Sequence, residues 1–158
     1  MNQIYRYTRQ KAVFSILIPA IMAALVFAVM ILQWTLGQST VMTMPLAVLS
    51  GIIVLDHTLA LSHPQQITLG DGWIEFSGFG HAHHYALSEI QRINLRQNAF
   101  SKSVYVRINE AGLLKGRYWI QFDQLPDGSA LRAYLEALVE QKHPKMKHFD
   151  RHSFSKTK

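Results

Sequence analysis

Residues 12–55 read AVFSILIPAIMAALVFAVMILQWTLGQSTVMTMPLAVLSGIIVL, bounded by Lys11 and Asp56, and these 44 consecutive positions contain no Asp, Glu, Lys or Arg. A helix crosses a bilayer with about 20 apolar residues, so the run is long enough to cross twice. Gly37, Gln38, Ser39 and Thr40 divide it, a connection too short for anything except an antiparallel hairpin. The expectation is a transmembrane hairpin occupying residues 1–62, with spans at about 12–36 and 41–61. Pro19 lies inside the first span, where its missing N–H and its ring predict a bend, eased by side chains such as Ser15. Trp34 stands near the far interface of that span, and Pro45 falls in the first turn of the second, where proline is tolerated.

The charges flanking this run set its orientation. The arm before it, MNQIYRYTRQK, carries Arg6, Arg9 and Lys11 without an acid, the connection at 37–40 carries no cation, and the other 13 of the 16 Lys and Arg follow the hairpin. Basic residues stay on the cytoplasmic side, which predicts both termini there. Tyr5 and Tyr7 read as head-group-level aromatics. A signal peptide also starts with positive charge, but its apolar core is only about 7–15 residues and ends in small residues; this run is longer, lacks that ending and leads straight into a second apolar stretch. A retained anchor is therefore expected.

Of the 158 residues, those beyond position 62 suffice for one small domain with its own core. Mean hydropathy, +0.05, averages a very apolar first third with a polar remainder. The net charge of +6 is assigned to the membrane surface, where cations beside spans meet anionic lipid, and not to nucleic acid. The absence of cysteine removes disulfides and thiolate metal sites.

After Ser62 the texture alternates. Gln66–Leu69 and Trp73–Ser77 around Gly70-Asp-Gly72 predict a hairpin of short strands. Gly78-Phe-Gly80 is a second turn, His81–Leu87 a further strand, and Ile90, Ile93 and Leu95 a less regular one. Ser103–Asn109 puts Val104, Val106 and Ile108 on one face, and Arg117–Phe122 does the same with Tyr118, Ile120 and Phe122. From Pro126 onward Leu131, Tyr134, Leu135, Leu138 and Val139 form one helical stripe, with Asp127 or Ser129 as the expected cap. A soluble domain is thus bounded at 63–142, and residues 143–158 are a basic tail too polar to fold alone.

Three groups of residues are candidates for chemistry. Arg6, Arg9 and Lys11 with Lys142, Lys145, Lys147 and Arg151 are placed to meet anionic lipid. His81, His83 and His84 are the densest set of metal ligands. On a strand, however, the first two share a face and the third points away, while zinc takes three or four ligands, so His57 and His63 would have to join them. Asp56 and His57 lie roughly 23 Å along the second span at about 1.5 Å per residue, an ionisable pair at its cytoplasmic end. No nucleophile, phosphate loop or zinc-protease motif is present, so a non-enzyme without a cofactor is expected.

The order of short strands followed by one amphipathic helix is carried by Ile67-Thr-Leu-Gly-Asp-Gly-Trp-Ile74, Tyr85-Ala-Leu-Ser-Glu-Ile-Gln-Arg-Ile93 and Trp119-Ile-Gln-Phe-Asp-Gln-Leu-Pro-Asp-Gly-Ser-Ala-Leu131. Behind a two-span hairpin, this resembles small bacterial membrane proteins with a pleckstrin-homology (PH) type domain, including the YcxB-like group. The resemblance covers about residues 12–140. It implies an α+β chain in the bacterial inner membrane: a hairpin, then a PH-like bent sheet or barrel closed by a C-terminal helix. It further implies an interaction module for membrane lipid, a protein partner or a second copy. The alternative is an accessory subunit of a transporter or a metal- or proton-handling complex. The first strand connection, Gly70-Asp71-Gly72, is short and acidic, which argues against the phosphoinositide clamp of eukaryotic PH domains.

Overall fold

The computed structural model describes residues 2–98 and 102–143. The chain begins with strand β1 (Gln3–Arg6), which pairs antiparallel with β2 (Gln66–Gly70) in the register Gln3 to Leu69 and Arg6 to Gln66. The expected head-group arm is therefore part of the sheet, and Tyr5 and Tyr7 are core residues at 6% and 9% exposure. Alternation explains it, since Ile4 and Arg6 point outward and Tyr5 inward.

A continuous helix follows in three parts: α1 (Arg9–Ala12), a π-helical stretch over Val13–Leu17, and α2 (Ile18–Thr35) with Pro19 at its start. The widened turn just before Pro19 is how the helix takes in a residue that has no N–H and whose ring crowds the preceding turn. After the connection comes α3 (Thr43–Thr58), which packs along α2. Its contact face is built from small side chains: Ala47 and Ser50 are buried, and a Cβ on Gly51 would sit 3.1 Å from the Phe27 ring. Two of its hydroxyls are satisfied within the helix, Ser50 donating to the Leu46 carbonyl at 2.6 Å and Thr58 to that of Val54 at 2.7 Å. Of the described helices, only Arg9–Thr35, with 27 residues, is both long and apolar enough to cross a membrane; α3 has 16.

Strands β2, β3 (Trp73–Gly78) and β4 (His81–Ala86) continue the first sheet in the order β1-β2-β3-β4, and β5 (Ile93–Gln97), β6 (Val104–Ile108) and β7 (Arg117–Ile120) form a second, all antiparallel. At the first hairpin Gly72 takes φ +86, which side chains rarely adopt, and a Cβ on Gly70 would run into the Trp73 ring. No ladder joins the two sheets among the described residues, so the architecture is mixed helix and sheet without a closed barrel. Both sheets feed one core, where Ile67, Ile74, Phe76, Val106, Tyr118 and Ile120 are fully enclosed. The last helix, α4 (Gly128–Lys142), covers it with Leu131, Leu135 and Leu138. Asp127 stands at the cap position, but in a left-handed conformation (φ 51); its carbonyl, and not its side chain, takes up the first N–H groups of the helix.

Candidate functional site

The chain leaves the first sheet through Tyr7 and returns through residues 59–65, and two sets of bonds at this seam fasten the helical hairpin to the domain. The Tyr7 hydroxyl accepts from the backbone N–H of Gln121 at 2.9 Å. Ser62 donates its hydroxyl to Asp56 Oδ1 at 2.6 Å, and its carbonyl accepts from Trp119 N–H at 2.6 Å. Leu61, between α3 and these bonds, is fully buried and held at φ 50, an unfavourable conformation for leucine that reverses the chain out of the helix.

Tyr7, Lys11, Ser15, Ile16, His63, Pro64, Ser103, Trp119, Gln121 and Gln124 enclose a cleft of about 80 Å³ at the seam. Among the described residues, Lys11 is its only charged lining residue at neutral pH. Burial pushes the Tyr7 hydroxyl up to about 12, and burial, reinforced by His57, lowers His63 to about 4, so both are neutral. Gln121 also lines it, and its Oε1 is buried without a hydrogen-bond partner among the described residues. The nearest acid in sequence, Asp123, is 3.8 Å from Lys102. The cleft therefore offers one cation, hydroxyl groups and one unsatisfied acceptor to a small polar group.

Asp56 and His57 stand in the last turn of α3. Each has a local partner: Asp56 has Ser62, while His57 Nδ1 lies 3.0 Å from the Ile53 carbonyl and its ring stacks on His63 at 4.9 Å between centroids. His83 and His84 of β4 fall on opposite faces, as alternation requires, while His81 stands at the start of the strand. His84 lies outside, 3.6 Å from Glu75 and beside the Trp73 ring, and His81 is exposed. His83 turns inward, with Nδ1 2.9 Å from the Tyr118 hydroxyl, which is itself 2.6 Å from that of Tyr85. Burial, with Lys115 second, lowers the His83 pKa, and burial raises both tyrosines. No three His, Asp or Glu among the described residues are placed to share a metal ion.

The cations are equally divided. Arg6, Arg9 and Lys11 are exposed near the start of α1. Lys142 is at the other end of the sheet, donating to the Leu87 carbonyl at 2.8 Å, while Leu87 N–H bonds to Gly72 in the β2–β3 turn. Lys145, Lys147 and Arg151 lie outside the described residues. Sequence reasoning took His63 only as a possible metal ligand and Tyr7 as a head-group aromatic, and it missed Gln121, because the three sit in different segments with no shared motif. No family model matches the chain, and no curated protein or solved structure matches it.

Proposed function

We propose that this chain is a non-catalytic, membrane-anchored interaction protein, whose helical hairpin crosses a bacterial inner membrane twice and holds a PH-like domain against the cytoplasmic face. There the domain engages the lipid surface, a protein partner or a second copy. The observation that carries the reading is the pairing of β1 with β2, because the two strands flank the hairpin on either side in sequence. Chain that leaves and re-enters one sheet makes an even number of crossings, so if the 27-residue helix spans, α3 must return. Only 17% of the apolar window of that helix is buried, and Val48, Leu49 and Ile52 of α3 are more than half exposed, surface that water penalises and lipid does not. A helix of 16 residues covers about 24 Å, and its apolar flanks Val41–Met42 and Leu59 add to that length. Removal of the helix as a signal would also strip β1 from its sheet. The transporter-subunit reading rests on Asp56 and His57, whose bonds to Ser62 and Ile53 already give them structural work.

Because the chain contains no cysteine, single cysteines report its sidedness directly. Gln38→Cys is expected to react with an impermeant maleimide from outside intact cells, and Asp71→Cys only after permeabilisation. Equal labelling of both in intact cells would overturn the two-span reading. Recovery from gentle detergent as a lone chain without stoichiometric lipid, protein or second copy would overturn the interaction reading.

A further inference from the structure

We propose that the seam cleft binds the head group of a hydroxyl-bearing anionic glycerophospholipid, with Lys11 on the phosphate and Gln121 Oε1 accepting from the head-group hydroxyl. This rests on the membrane-anchored reading above. A buried acceptor without a partner is costly, about 1–3 kcal/mol, and native structures rarely leave one so; a ligand donor would satisfy it. The Gln121 backbone N–H is already taken by the Tyr7 hydroxyl, which therefore keeps its own proton to donate into the cleft. Ser15 adds a second hydroxyl from the helix wall, and no carboxylate among the described residues lines the cleft. One cation, hydroxyl donors and one acceptor are together complementary to a phosphate that carries a hydroxyl a few bonds away. The acceptor does not serve phosphatidic acid, whose head group carries no alcohol hydroxyl, and Lys11 opposes the ammonium of a choline or ethanolamine head group.

The position of the cleft points to lipid as the source. Lys11 and Ser15 lie in the first turns of the apolar helix, and the neighbouring Phe14 and Ile18 are exposed at 71% and 39%, an apolar flank along which acyl chains can run beside the head group. About 80 Å³ accommodates several water molecules, and hence a phosphate with a short polyol, but leaves little room for an inositol ring.

The test uses the full chain in phosphatidylcholine nanodiscs containing a minor fraction of phosphatidylglycerol, with retained lipid identified by native mass spectrometry. One phosphatidylglycerol per chain is expected in preference to phosphatidylcholine. Lys11→Gln should lower that retention about tenfold or more, the change one charge-assisted hydrogen bond carries. Gln121→Leu should reduce the preference for phosphatidylglycerol over phosphatidic acid, while Lys102→Gln, an exposed cation outside the cleft, should leave retention unchanged. Equal retention of phosphatidylglycerol and phosphatidylcholine, or a Lys11→Gln variant that matches the parent, overturns the assignment. So does displacement of the lipid by free glycerol 3-phosphate, which would assign the site to a soluble phosphate. Maleimide labelling of Gln38→Cys separates the two failures: a chain that inserts correctly but shows no lipid preference loses only this site.

Discussion

Tyr5→Ala tests whether the arm ahead of the hairpin is a structural strand. Tyr5 is 6% exposed inside the common core, whereas its neighbour Ile4, in the same four-residue strand, is 63% exposed. An aromatic side chain buries about 150–250 Å², which at about 25 cal/mol per Å² sets an upper bound of roughly 4–6 kcal/mol. Compactness of the unfolded chain and the methyl retained by alanine reduce this to about 3 kcal/mol, at the low end of aromatic truncations in cores. For a domain of this size that lowers the melting temperature by on the order of 15 °C. The measurement is urea or thermal unfolding of the full chain in micelles, followed by fluorescence of Trp73 and Trp119 in a Trp34→Phe background. Ile4→Ala serves as the control and should change stability by less than about 0.5 kcal/mol. If the two variants are indistinguishable, the arm is not a working strand, and the argument that both ends of the hairpin share one side of the membrane fails with it.

Gly128→Ala at the start of α4 should cost about 2–3 kcal/mol by the same unfolding assay, because its Cβ would collide with the Phe122 carbonyl. Asp56→Asn keeps an oxygen acceptor for Ser62 and should unfold within about 0.5 kcal/mol of the parent, whereas Asp56→Leu, which leaves that hydroxyl unpaired, should lose about 1–2 kcal/mol. His63 is held neutral in the fold at about 4 against 6.5 in the unfolded chain, so below pH 6.5 the unfolded state binds the extra proton. Stability is therefore fully present above that pH and falls by roughly 3 kcal/mol in total toward pH 4; a His63→Gln variant should flatten this slope in pH-dependent unfolding. Tyr118→Phe removes the hydroxyl shared by His83 and Tyr85 inside the core and should cost about 1–2 kcal/mol without altering phosphatidylglycerol retention.

Patterns with a short period in the chain were legible without coordinates. The uncharged run marks the helical hairpin, two-residue alternation marks β2, β3, β6 and β7, and the spacing of Leu131, Leu135 and Leu138 marks α4, because burial on one face of a regular element imposes its repeat on the sequence. The β2–β3 turn was equally readable, since only a few residue types accept its backbone. What the tertiary structure decided is long-range. Strand β1 has four residues, too few for alternation to stand out, and its outward Arg6 made it look like a juxtamembrane arm. Its partner lies beyond the whole hairpin, and nothing local in either segment encodes that pairing. The histidines looked like one cluster because they are adjacent in sequence, yet the pleat sends His83 to the Tyr118 hydroxyl and His84 to Glu75. The seam joins Tyr7, Lys11, His63 and Gln121 from four separate segments, so the apolar run alone determined that this protein has a hairpin, and only packing at its base decided where a polar ligand can sit.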